Sequence, residues 1–212
     1  MATLDILTPA EGVQAALGVE TGPGHAADVE RMVTAISGRI DELVGPVVNR
    51  TVTEYHDGGA GVIRPHQTPL SEVTSLKHAD GATVTVYTED TWGTAGNADG
   101  FLVEQSGSYP HGPRIFRRAG GSNVSWAAGH RGIELVYVAG RAPDTASVPE
   151  RYKEVAIEIM RRLWDREASA WARAPDPFVV EGVGSGSSRF FKVFDYVVAE
   201  HLGDELKPPG VA

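Results

Sequence analysis

Pro149 to Trp171, PERYKEVAIEIMRRLWDREASAW, narrows the possible folds more than any other stretch of the chain. Proline in the first helical turn presets φ and sacrifices no intrahelical donor, and Glu150 behind it suits the positive end of the helix dipole. At about 100° per residue, Tyr152, Val155, Ala156, Ile159 and Leu163 share one face. Ile157, Met160 and Trp164 fall on an adjoining face, and Glu154, Glu158, Arg161 and Asp165 lie opposite. The apolar arc is on the order of 200° wide, where a helix covering one core needs roughly 100°. The surplus calls for a second apolar partner. Either this is the central helix of a single domain, or it is shared between its own sheet and a neighbouring subunit through Ile157, Met160 and Trp164.

The 212 residues suffice for one domain, or two small ones, with a real core. There is no cysteine, so disulfide and thiolate chemistry are excluded and an intracellular folding environment fits. No apolar run approaches the roughly 18 residues of a membrane span, and MATLDILTPAEG carries an acid where a secretory leader would be basic. The formal charge is −9, with the excess at the two ends. Residues 1–48 hold seven acids against two bases, and residues 174–212 hold six against three. Tight electrostatic wrapping of nucleic acid is therefore not expected, although DNA could pass close by without adhering.

Taken in order, Thr8-Pro9-Ala10-Glu11 reads as a helix start with a capping box, followed by an apolar face at Val13, Ala16 and Leu17 and a stop at Gly18. A second helix is predicted over Ala26–Leu43, ended by Gly45-Pro46, with Gly38 inside it explained by close packing against another helix. From Val47 the period shortens. Strands are predicted at Val48–Tyr55, Gly61–Arg64, Pro69–Lys77, Ala82–Tyr87, Phe101–Val103, Arg114–Arg117 and Ile133–Val138. Loops cover 88–100, 105–113 and 120–132, the last carrying Trp126. After Ala174-Pro175-Asp176-Pro177 stops the long helix, Gly184–Ser188 reads as a tether to a greasy, helical segment holding Phe190, Phe191, Phe194 and Leu202. Such a segment either folds back on the domain or docks on another protein.

Signals for chemistry are sparse. None of the seven histidines makes a helical i, i+4 pair or an HExxH arrangement, so they read as surface residues and no metal or other cofactor is expected. Gly182-Val183-Gly184-Ser185-Gly186 lacks the lysine and spacing of a phosphate loop, and no GxSxG elbow is present. Arg114, Arg117 and Arg118 form the one basic cluster outside a helix. They are either a solvated, salt-bridged face or a contact with a neighbouring subunit or passing DNA.

One ordered pattern remains: an apolar strand ending in Tyr-x-x-Gly (Ile133–Gly140), then Val148-Pro149, then a helix ending Leu163-Trp164-Asp165-Arg166-Glu167, behind the helices at 8–11 and 26–43. In this the chain resembles, loosely over residues 4–170, the head-tail connector (head completion adaptor) proteins of long-tailed double-stranded DNA bacteriophages. The resemblance implies an α+β chain. Its core would be a small α-helical bundle, the two N-terminal helices plus helix 149–171, carrying a β-rich insertion and an extended C-terminal arm. Residues 1–173 would be the connector core with its β-rich middle at 47–138, and 174–212 the arm. It further implies a structural virion protein rather than an enzyme, made in the host cytoplasm. Commonly twelve copies form a ring under the portal protein and meet the next tail-side connector or stopper, while double-stranded DNA passes without specific binding and no membrane is involved. The portal-docking residues would be Phe178, Phe190, Phe191, Phe194 and Tyr196. The β middle is longer than in the smallest such proteins. Another ring component, a head-tail stopper or tail terminator, stays open, as does a small enzyme, which a deep pocket of shifted titratable groups would betray.

Overall fold

The structure is a computed structural model, and it describes residues 5–12, 26–80, 83–89, 99–105, 112–171 and 187–206. The chain is α+β and strand-rich. It divides into two compact units, one gathering the described residues of Met1–Val48 and Ala142–Lys207, the other those of Asn49–Arg141. In sequence the second unit is thus inserted into the first.

The first unit is helical. Its long elements are α1 (Ala26–Val44), α2 (Glu150–Trp171) and α3 (Ser187–Leu202). Ahead of them, Thr8 and Glu11 form the expected capping box around a short helical turn at 9–12. Glu11 N donates to Thr8 Oγ1 (3.2 Å), and Thr8 N donates to Glu11 Oε2 (2.7 Å). The expected apolar face at Val13, Ala16 and Leu17, and the stop at Gly18, lie outside the described residues. Gly45, at φ 91°, closes α1, its N–H reaching Asp41 O at 2.9 Å. One core holds Ile6 and Leu7, then Val29, Met32, Val33, Ile36 and Ile40 of α1. To these are added Tyr152, Val155, Ala156, Ile159 and Met160 of α2, and Phe194, Val197, Val198 and Leu202 of α3. Gly38 departs from expectation: it is exposed, and a Cβ placed there would meet nothing within 4 Å among the described residues.

The second unit is a sheet in the order β1-β8-β3-β4-β5-β6-β2, with β7 on β6. The strands are β1 (Arg50–His56), β2 (Val62–Ile63), β3 (Leu70–Asp80), β4 (Thr83–Glu89), β5 (Gly100–Glu104), β6 (Arg114–Ala119), β7 (Ser122–Val124) and β8 (Ile133–Ala139). Every pairing is antiparallel except β4 with β5. β8 alternates buried Ile133, Leu135, Tyr137 and Ala139 with half-buried Glu134, Val136 and Val138, so one face of the sheet is the core face. Ile63, Leu70, Val73, Leu76, Tyr87, Phe101, Ile115 and Trp126 join that core, with Tyr87 edge-on to Trp126 at 5.5 Å. Strand β7 is absent from the sequence reading. Gly120 and Gly121, both at positive φ, make the two-residue turn that folds Ser122–Val124 back on β6.

Candidate functional site

Much of the described apolar arc of α2 is covered from within the chain. Its buried residues meet those of α1 and α3 in one core, and Ile157 is half-buried against the same core. Met160 is completely buried there, which corrects its expected place in an intersubunit contact: its side chain has already been used inside the chain's own core. Of Trp164 only the helical backbone is described.

The C-terminal segment is corrected in the same way. From Ser187 onward it is not an extended arm. Phe194, Val197, Val198 and Leu202 are fully buried, and polar contacts fasten the helix down: His201 Nε2 lies 3.0 Å from Glu158 Oε2, and the Arg162 guanidinium lies 5.9 Å from the centroid of the Tyr196 ring. The 3₁₀ turn Gly203–Glu205 brings Glu205 to the start of α2, where it accepts from Tyr152 Oη and pairs with Arg151. Phe194 is therefore a core residue, while Tyr196 stays 61% exposed. Phe178 lies outside the described residues, and Phe190 and Phe191 are described only as backbone of α3.

The three arginines sit on β6, where alternation sends Arg114 and Arg118 to one face and Arg117 to the other, so they do not make one patch. Each also has an internal contact. Arg114 approaches Glu104 at 3.9 Å, Arg117 lies over the Tyr87 ring and donates to Ser125 O, and Arg118 donates to Asn123 Oδ1 and Gly121 O.

A different group of side chains does converge. Glu54 and His56, two residues apart on β1, share a face, and the loop after β2 brings His66 to them. Glu54 Oε2 is 3.0 Å from His56 Nε2 and 3.4 Å from His66 Nδ1, and the two rings lie 5.2 Å apart. Glu54 also accepts from Tyr137 Oη and from the His66 N–H, while the Gln67 N–H donates to Tyr137 Oη at 2.9 Å. Burial alone would raise the Glu54 pKa, but the donors at His56, Tyr137 and the His66 N–H outweigh it and hold the group below its ordinary value. Burial, then the Glu54 carboxylate, pushes the Tyr137 phenol up. The sequence pattern ended the strand at Tyr55, one residue short of His56, and read the histidines as surface residues, which hid this cluster. A strand one residue longer would have shown Glu-x-His on one face.

No protein-family model matches the sequence, and no curated protein matches it. Among solved structures the fold is similar to a chain in the neck of an empty GTA particle computed with C6 symmetry. The likeness covers 92% of this chain and 91% of that one, with a TM-score of 0.55 and 15% identity. It is equally similar to a chain in the virion of the native gene transfer agent (GTA) particle, with a TM-score of 0.55, 13% identity and the same coverage. At such identity the likeness establishes a shared fold over nearly the whole of each chain.

Proposed function

We propose that this chain is a structural component of the neck of a virion-like particle: a head-to-tail adaptor that forms a ring under the portal and extends the DNA channel toward the tail. The observation that carries the reading is the end-to-end fold likeness to a chain of the GTA particle neck. That neck was computed with C6 symmetry, which accommodates a ring of six copies or of twelve. A ring requires a heterologous contact, in which two different faces of the subunit meet. Trp164, the exposed side of Ile157, Tyr196 and the segment around Phe178, Phe190 and Phe191 are the residues we assign to contacts with neighbours, portal and next tail-side protein. Met160 and Phe194 are withdrawn from that set because the subunit's own core holds them.

Charge supports the reading. Each phosphate neutralised by Lys or Arg adds salt-dependent affinity, which would make a duplex stick in its channel. A subunit of formal charge −9 repeated around a ring repels the duplex and lets it slide. The three β6 arginines, engaged within their own sheet, do not reverse this. Light scattering on the purified chain, alone and with portal, is the test. A ring of defined copy number, or a ring formed on the portal, is expected. A chain that stays monomeric and ignores the portal overturns the adaptor role, and binding to an isolated tail end instead would make it a tail-side component.

A further inference from the structure

We infer that Glu54, His56 and His66 form a binding site for a divalent cation of the zinc class. The inference is independent of the neck reading and rests on the geometry of one face of the β unit. Two imidazole nitrogens and one carboxylate oxygen are a donor set that suits zinc, and they leave a fourth position open. Donors held about 2.0–2.1 Å from a tetrahedral zinc stand roughly 3.4 Å from each other. His56 Nε2 and His66 Nδ1 stand 3.0 and 3.4 Å from Glu54 Oε2, and all three donor atoms lie within 4.8 Å of one another. Among the described residues this is the one group of three or more metal-donor side chains so disposed.

The support behind the donors is as informative as the donors. Metal-binding carboxylates are held by outer hydrogen bonds that fix which oxygen faces the ion. Here Tyr137, fully buried on β8, donates to Glu54 Oε1 and is itself steadied by the Gln67 N–H, leaving Oε2 turned to both histidines. The burial is graded: the Glu54 and His56 side chains are 9% and 12% exposed, and that of His66 is 70% exposed. Two donors are thus fixed in the sheet and the third can swing to admit the ion. A plain ion pair would need only His56. The other histidine–carboxylate contacts among the described residues, His130 with Asp57 and His201 with Glu158, are such pairs, each of one imidazole and one carboxylate. A cation entering here displaces the proton joining His56 Nε2 to Glu54 Oε2 and ties β1 to the loop after β2.

Calorimetric titration of Zn²⁺ into the full-length, chelator-treated chain tests the site. One equivalent is expected to bind per chain, with Co²⁺ giving the intense visible absorption of a tetrahedral centre. His66→Ala, at an exposed position, should keep the circular dichroism of the parent and weaken the stoichiometric site at least ~10-fold. Tyr137→Phe, which touches no ion, should weaken it by about 10-fold through loss of the outer hydrogen bond. Absence of stoichiometric Zn²⁺ binding overturns the inference. So does binding that both variants leave unchanged, because the ion would then sit on other histidines.

Discussion

Replacing Phe194 by alanine separates a helix that belongs to the subunit from an arm that waits for a partner. Phe194 is fully buried in the core shared by α1, α2 and α3. Truncation removes a ring from a closed space and leaves a cavity, and for Phe→Ala the combined loss is about 3–5 kcal/mol. Domains are stable by only about 5–15 kcal/mol, so much of the stability of the helical unit is at stake. With a urea m-value of about 2 kcal/mol/M, the midpoint should fall by about 2 M. Tyr196→Ala, two residues along the same helix but 61% exposed, should cost no more than about 0.5–1 kcal/mol, the worth of its contact with Arg162, and lower the midpoint by at most about 0.5 M. Urea titration followed by helical circular dichroism reads both. If Phe194→Ala leaves the midpoint where it was and abolishes portal binding instead, α3 is an arm and the packing argument is wrong.

Other substitutions probe other links. Gly38→Ala should stabilise the chain by about 0.5–1 kcal/mol, because α1 gains helix propensity and the new methyl meets nothing within 4 Å among the described residues; a loss in the same urea titration would mean that this face is covered. Gly140→Ala should cost about 3 kcal/mol or more, since φ is 147° and the added Cβ would stand 2.6 Å from Asn49 Cα, and reduced soluble yield with a lower melting temperature would report it. The Glu11 pKa lies below its ordinary value of 4.5: burial pushes it up, but the Lys153 ammonium and the donors of Thr8 outweigh this. A depressed carboxylate contributes stability that is fully present above pH 4.5 and is lost as pH falls through the folded value, so Glu11→Gln should flatten the acid limb of the stability–pH curve.

The parts of the fold legible in sequence are those where local signals are strong and need no distant partner. The capping box at Thr8 and Glu11 closes on itself within one turn. α1 ends one residue beyond the predicted Leu43, at Gly45-Pro46, and the alternation of β8 reads directly as burial. Legibility fails where contact order decides. Glu54 and Tyr137 are 83 residues apart, and only the pairing of β1 with β8 brings them together. Arg114, Arg117 and Arg118 look like a patch in one dimension, and the pleat of a strand splits them. Gly38 reads as a packing glycine by residue type alone, whereas it is exposed and has no described neighbour within 4 Å of an added Cβ.

The breadth of an apolar arc counts the partners of a helix but does not say which chain supplies them. For α2 the periodicity demanded two, and α1 and α3 both meet its buried residues in one core. Met160 and Phe194 are thus no longer arguments for assembly, since both are held in the one core of the helical unit. What supports the proposed assembly is the likeness of fold to a neck chain, together with exposed apolar side chains elsewhere. Val84 and Val86 on β4 are 59% and 62% exposed, and they share a face because they are two residues apart on a strand. Over Thr83–Tyr87 that strand pairs with β3, and β5 joins it only at Thr88 and Glu89, so among the described strands one edge of the apolar stretch has no partner. Exposed edges of this kind invite pairing with another chain unless they are blunted by charge or proline, and Thr83-Val84-Thr85-Val86-Tyr87 has neither. If the chain meets neighbours in a ring, the sheet therefore adds a demand for cover that the sequence pattern placed only on the helices.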